Sequence, residues 1–108
     1  MGNDSDYCLV ITTCGNRNDA DKLAAGIIGE KLAACIQLSD IQSYYFWDGK
    51  VNNDPEVQLH IKTRNALYDD LEAHIRAHHT YEVPEIIRLS IEGGLPAYLG
   101  WIEEVTRS

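Results

Sequence analysis

The chain has 108 residues, of which 17 are acidic and 9 are basic, giving a formal net charge of −8 at pH 7. This balance argues against a nucleic-acid-binding protein, which needs a basic surface to displace counterions from phosphates, and equally against a protein that binds anionic membranes. No apolar run reaches the roughly 18 residues that a transmembrane helix requires.

The N-terminal segment and the cysteines bear on the cellular compartment. Residues 1–6 are polar and acidic, without the basic and apolar regions of a secretion signal, so we expect a cytoplasmic protein. We expect a flexible N-terminus at residues 1–6 and one domain at residues 7–108. The chain has three cysteines, and this odd number argues against a disulfide framework. No two of them form a CxxC pair, which argues against a structural zinc site.

The first half of the chain predicts a strand, a helix and a second strand. Residues 7–13 form a nearly continuous apolar run rich in β-branched side chains, as expected of a buried central strand. Asn16 or Asn18 can cap the helix that follows. Residues 35–47 predict the second strand. The helix is indicated by apolar side chains at helical spacing, namely Ala20, Leu23, Ala24, Ile27, Ile28 and Leu32.

The second half predicts a hairpin, a second helix, a fourth strand and a third helix. Asp48-Gly49 is a hairpin turn signal, and residues 57–63 form the returning strand. Asn65 can cap the second helix, residues 86–91 predict the fourth strand, and Pro96 suits the start of the third helix. The apolar stripe of the second helix is Leu67, Leu71 and Ile75.

This order, β-α-β-β-α-β with an extra C-terminal helix, predicts an α+β protein with a ferredoxin-like antiparallel sheet. Both long helices would cover one sheet face, and the short third helix is too small to cover the other. Residues 44–47 place aromatic side chains on both faces, because side chains alternate along a strand. A large exposed apolar surface usually marks an interface, so we expect an oligomer.

No motif for covalent catalysis or for an organic cofactor is present. The chain has no G-x-S-x-G nucleophile elbow, no phosphate-binding P-loop and no G-x-G-x-x-G fingerprint. These patterns therefore point to no catalytic class, and we expect no organic cofactor.

The histidines of the second helix favour a metal site. His74 and His78 are four residues apart, which places two imidazoles on one helix face, and His79 follows at once. Tyr81, Glu82 and Glu85 add oxygen donors, and such a set suits copper or zinc. The alternative is a solvated helix end, where histidines interact favourably with the helix dipole.

Two further residues have both a structural and a functional interpretation. Cys14 lies on the same face of the first strand as Thr12, and it is either a small buried apolar residue or a ligand. Lys62 lies within an apolar strand and needs a partner, so we expect an ion pair with Glu56 or Glu85; the alternative is an anion site at a subunit junction.

Five segments, in the right order along the chain, resemble the CutA divalent-cation tolerance family: residues 30–35, 43–50, 56–58 with 61–63, 78–87 and 98–102. The resemblance covers residues 8–105. It implies a ferredoxin-like homotrimer that takes part in tolerance of divalent metals, copper above all, and that catalyses no reaction. It also implies a likeness to the PII-type signalling trimers.

The resemblance implies a metal site for copper(II) or another divalent cation. The paired histidines correspond to His78 and His79, and the thiol that accompanies them corresponds to the position of Thr12, with Cys14 nearby and Glu85 as a further ligand. The alternative function is a PII-like trimer that binds small molecules in clefts between subunits. Lys62, Trp47, Glu56, Tyr81 and Glu85 would then line the cleft.

Overall fold

The computed structural model describes residues 6–108. The predicted N-terminal tail, residues 1–6, lies outside the described residues except for Asp6. A 3₁₀ turn at Asn65–Leu67 precedes the second helix. The elements are β1 (Tyr7–Cys14), α1 (Arg17–Gly29), β2 (Cys35–Trp47), β3 (Lys50–Arg64), α2 (Tyr68–His78), β4 (Ile87–Ile91) and α3 (Pro96–Val105).

The four strands form one antiparallel sheet in the order β2-β3-β1-β4. This arrangement with three helices confirms the predicted α+β class. Within residues 6–108, no helix is long and apolar enough to cross a membrane.

The β2–β3 hairpin is longer than predicted because its two arms stay paired up to the turn. Asp48 (φ 56°) and Gly49 (φ 76°) are both left-handed, as the two central residues of a type I′ turn must be. Strand β3 begins at Lys50 and passes through Pro55, although proline cannot donate to a sheet. The proline is tolerated because β1 pairs with β3 only from Val57 onward, which leaves Pro55 with a single neighbouring strand.

One of the two predicted helix caps is correct. The Asn16 side chain accepts a hydrogen bond from the backbone N–H of Asp19 at 2.8 Å and caps α1. The prediction for Asn65 is wrong, because the 3₁₀ turn intervenes and Leu67 occupies the N-cap position of α2 without a side-chain cap. The backbone N–H of Asn65 instead donates to the carbonyl oxygen of Asp6 at 2.9 Å.

The hydrophobic core lies between α1, α2 and one face of the sheet. Strand side chains alternate, so β1 and β3 bury every second residue against the helices. The fully buried members of the core include Val10, Ile27, Leu59, Ile61, Leu71 and Ile75.

The opposite face of the sheet, here called the open face, is only partly covered. By alternation and register it carries Leu9 and Ile11 of β1 and their partners Leu89 and Ile87 of β4. Leu89 and Ile87 are 46% and 49% exposed. A group of neighbouring apolar side chains that remains exposed on one face of a sheet is typical of an interface.

Helix α3 covers one end of the open face, where it contacts Lys62. The Lys62 ammonium lies 3.5 Å from the Tyr98 hydroxyl and 5.6 Å from the centre of its ring. The predicted ion pair of Lys62 with Glu56 or Glu85 is therefore wrong within the chain. Glu56 lies six residues away along the same strand, which corresponds to about 20 Å.

Thr12 is a buried polar residue whose removal should stabilise the protein. It is fully buried, and its Oγ1 has no hydrogen-bond partner among the described residues. Thr12→Val should raise the free energy of unfolding by about 1 kcal/mol, since an unsatisfied hydroxyl is costly to bury. Thr63→Val is the matched control: the Thr63 hydroxyl donates to the Leu32 carbonyl at 2.7 Å, so this change should lower stability by about 1 kcal/mol. Urea denaturation measures both, and destabilisation by Thr12→Val would contradict the assignment.

Candidate functional site

A cavity of about 440 Å³ lies between α1 and the C-terminal end of α2. We call it the histidine cavity. Its lining includes Cys14 from β1, Asp19 and Glu30 from α1 and its end, and His74, His78 and His79 from α2 and its end. The site forms here because the helical spacing of four residues places His74 and His78 on one side of α2, facing α1.

His74 and His78 form a stacked imidazole pair. Their ring centres are 4.1 Å apart and the rings are inclined by 25°. His78 Nδ1–H donates to the His74 carbonyl oxygen at 2.8 Å, which leaves Nε2 of His78 with a free lone pair. Burial, and then the neighbouring His78, lower the pKa of His74, so its ring stays neutral to lower pH. A neutral imidazole is the form that binds metal.

Both ring nitrogens of His79 are engaged with the backbone. Nε2–H donates to the Thr13 carbonyl oxygen at 2.6 Å, and Nδ1 accepts the backbone N–H of Tyr81 at 3.0 Å. His79 therefore joins the end of β1 to the loop after α2. It has no lone pair free for a metal unless one of these bonds breaks.

The first-strand candidates are poorly suited to ligation. Cys14 is buried, and its Sγ lies 3.9 Å from Nε2 of His79. Burial, then the charges of Asp19 and Glu56, raise the pKa of Cys14 to about 11, whereas a thiol binds metal as the thiolate. Thr12 is buried in the core and does not line the cavity.

The Cys14 thiol should be inert to alkylation near neutral pH. A pKa raised from 9.0 to about 11 lowers the thiolate fraction at pH 8 about 100-fold. Iodoacetamide should therefore label Cys14 at least about 100-fold more slowly in the folded protein than in urea, as measured by mass spectrometry of the peptides. Equal rates would contradict this environment. Because the unfolded chain releases this proton first, the shift also makes the free energy of unfolding fall as the pH rises from about 9 to about 11.

A second cavity, of about 470 Å³, lies beside the end of β1 and contains most of the predicted cleft residues. We call it the aromatic cavity. Trp47, Glu56 and Tyr81 line it, and so does Glu85, which is thus separated from the histidines with which the sequence had grouped it. Lys62 does not line the cavity within this chain.

Hydrogen bonds between phenols and carboxylates shape the aromatic cavity. The Tyr81 hydroxyl donates to the Glu56 carboxylate at 2.8 Å, and the Tyr45 hydroxyl donates to Asp54 at 2.5 Å. Gly15 makes room for the first of these bonds, since a Cβ at this position would lie 3.2 Å from the Tyr81 hydroxyl.

Neither cavity contains an assembled metal cluster. Within residues 6–108, no three His, Cys, Asp or Glu side chains are grouped so as to hold one ion. Among residues 6–108, the His74–His78 pair is the donor set closest to a metal site, and water or side chains that move would have to fill the remaining coordination positions.

Comparison with known protein families shows to which family the chain belongs. Residues 8–105 match the family described as CutA1 divalent ion tolerance protein. The chain belongs to the CutA1 family. As a CutA1 chain it is 47% identical over 100 residues to the chloroplastic protein CutA 1 of Oryza sativa, covering 92% of this chain and 56% of that one. It is 35% identical over 99 residues to the divalent-cation tolerance protein CutA of Pyrococcus horikoshii, covering 92% and 97%.

A solved CutA1 structure shares the fold. The crystal structure of CutA1 from Oryza sativa superposes with a TM-score of 0.92 at 44% identity, covering 98% of both chains. The chain spans little more than half the length of the plant and animal CutA relatives first matched. The family is described by its tolerance of divalent ions and not by a reaction.

Proposed function

We propose that this CutA1 chain binds a divalent cation, copper(II) above all, at the His74–His78 pair, and that it serves metal tolerance without catalysing a reaction. The observation that carries the proposal is the hydrogen bond from His78 Nδ1 to the His74 carbonyl oxygen, which leaves Nε2 of His78 available. Imidazole nitrogens suit copper, which binds nitrogen and oxygen ligands more tightly than other first-row divalent metals do.

The surroundings of the pair favour a cation. Asp19 and Glu30 line the same cavity and outweigh the single charge of Lys22. His78 is the last residue of α2, where unpaired carbonyl groups carry partial negative charge.

Of the five metal residues implied by the family resemblance, the proposal retains His78. His74 takes the place of His79, whose nitrogens are engaged, and Thr12, Cys14 and Glu85 have no direct role.

We also propose that the protein works as a homotrimer in the cytoplasm. The apolar residues of the open face, Leu9, Ile11, Ile87 and Leu89, support association with further copies. The cytoplasmic location stays a prediction, since the rice relative is named as chloroplastic. The alternative of a PII-like signalling trimer finds no support among the matched relatives.

Calorimetric titration of the untagged, metal-free protein with copper(II) tests the binding. We expect saturable binding of one copper per chain, with much weaker binding of Mg²⁺, which prefers oxygen ligands. Electron paramagnetic resonance should show nitrogen coupling to the bound copper. Absence of saturable binding, or a copper signal without nitrogen ligands, would contradict the proposal.

A further inference from the structure

The aromatic cavity has properties that metal tolerance does not require. Its volume of about 470 Å³ lies within the range of small-molecule sites, about 300–1,000 Å³. It is built from the β2–β3 hairpin and the loop that follows α2, with Thr13 of β1 beside them. The hydrogen bond from the Tyr81 hydroxyl to Glu56 joins the loop to the hairpin across the cavity wall.

The charge of the cavity has one sign. Among the described residues that line it, three are acidic, namely Glu56, Glu82 and Glu85, and none is basic. Asp54 adds a fourth carboxylate at the edge of the cavity, where it accepts the hydrogen bond of the Tyr45 hydroxyl. These carboxylates do not form a cluster that would hold one metal ion. Negative charge distributed around the cavity, and not gathered at one point, suits a cation whose charges are themselves separated.

The apolar part of the lining is aromatic. By alternation along β2, Tyr45 and Trp47 lie on the same face as Glu56, and Trp47 is 62% exposed. The faces of such rings attract ammonium groups and also pack against methylene chains. Tyr45 and Tyr81 donate their hydroxyl protons to carboxylates, which fixes the orientation of both rings.

We propose that the aromatic cavity binds an aliphatic polyamine cation. Its ammonium groups would pair with Glu56 at one end and with Glu82 and Glu85 at the other, and its methylene chain would lie against Trp47 and Tyr45. The two recognition elements are complementary: carboxylates select positive charge, and the aromatic rings select an organic cation over a hydrated metal ion. This site is distinct from the histidine cavity and does not depend on it.

Titration of the purified protein, in its native state of assembly, with spermidine at physiological salt tests the proposal. We expect saturable binding that 1,8-octanediol, an uncharged chain, does not reproduce. The double change Glu82→Gln, Glu85→Gln should weaken binding at least 10-fold. The matched control, Glu92→Gln with Glu104→Gln, removes the same charge outside the cavity and should change affinity less than twofold.

Two substitutions of Trp47 test how much its aromatic ring contributes to spermidine binding. Trp47→Leu should weaken spermidine binding at least 10-fold, whereas Trp47→Phe, which keeps an aromatic face, should weaken it less than threefold. His78→Ala should leave spermidine binding unchanged, so that failure of the copper site and failure of this site are distinguishable. The proposal is overturned if spermidine does not bind. This would be the result if another copy of the chain occupied the cavity in the assembled protein. The proposal is equally overturned if Mg²⁺ competes at equal concentration, or if the control pair weakens binding as much as the cavity pair.

Discussion

Replacing Leu89 with arginine should convert the assembled protein into monomers. Leu89 lies on β4 opposite Leu9, in the middle of the apolar part of the open face. If that face packs against other copies, Leu89→Arg buries an unpaired charge at each contact, at a cost of several kcal/mol per charge. Each 1.4 kcal/mol weakens association about 10-fold, so a loss of this size at every contact is enough to dissociate the assembly at micromolar concentration. Size-exclusion chromatography with light scattering measures the mass in solution.

The neighbouring residue supplies the control. Ser90 lies on the same strand but points to the other side of the sheet, so Ser90→Arg adds the same charge without touching the open face. It should leave the assembly intact. Circular dichroism should show a folded chain in both variants. An assembled Leu89→Arg protein, or a wild-type protein that is already monomeric, would contradict the proposed role of the open face.

His78→Ala should abolish saturable copper binding, and His74→Ala should weaken it at least about 10-fold. Two imidazoles four residues apart on a helix can hold one ion, and removal of either leaves a single ligand. His79→Ala should leave copper affinity within about twofold, because its ring nitrogens already bond to Thr13 and Tyr81. Calorimetric titration of the three variants measures these affinities.

His79→Ala should act on stability instead. Its removal leaves the buried Thr13 carbonyl without this donor and the Tyr81 N–H without this acceptor, so the free energy of unfolding should fall by about 1–3 kcal/mol. Urea denaturation of the metal-free proteins measures this change. If copper binding is lost in His79→Ala and kept in His74→Ala, the adjacent pair His78–His79 is the site and the stacked pair is not.

Local patterns were sufficient to predict most of the fold. Apolar spacing located every helix and strand, and Asp48-Gly49 located the hairpin turn, because these signals act between residues close in sequence. The start of β3 at Lys50 was missed, because its polar residues 50–56 belong to the strand only through pairing with β2. The cap of α2 was missed because a 3₁₀ turn cannot be told from a helix start by composition.

The two cavities depend on contacts that no local pattern contains. Helical spacing singled out His74 and His78, yet only the structure shows that His79 is engaged by Thr13, which is 66 residues away. The bond from Tyr81 to Glu56 spans 25 residues and brings a loop against a strand. Glu85 and the histidines are close in sequence but line different cavities, since the chain turns away from α2 after His79.

The central position of β1 has a consequence for how the chain folds. This first strand pairs with β3 and β4, so Tyr7 lies opposite Arg64 on one side and Ile91 on the other. During synthesis β1 leaves the ribosome long before either partner exists, whereas the β2–β3 hairpin can form as soon as its turn is complete. Closing such long segments costs chain entropy before any contact compensates for it, which slows folding. This apolar strand is therefore exposed during synthesis for longer than the two strands with which it pairs, and exposed apolar surface of this kind is what makes partly folded chains prone to aggregate.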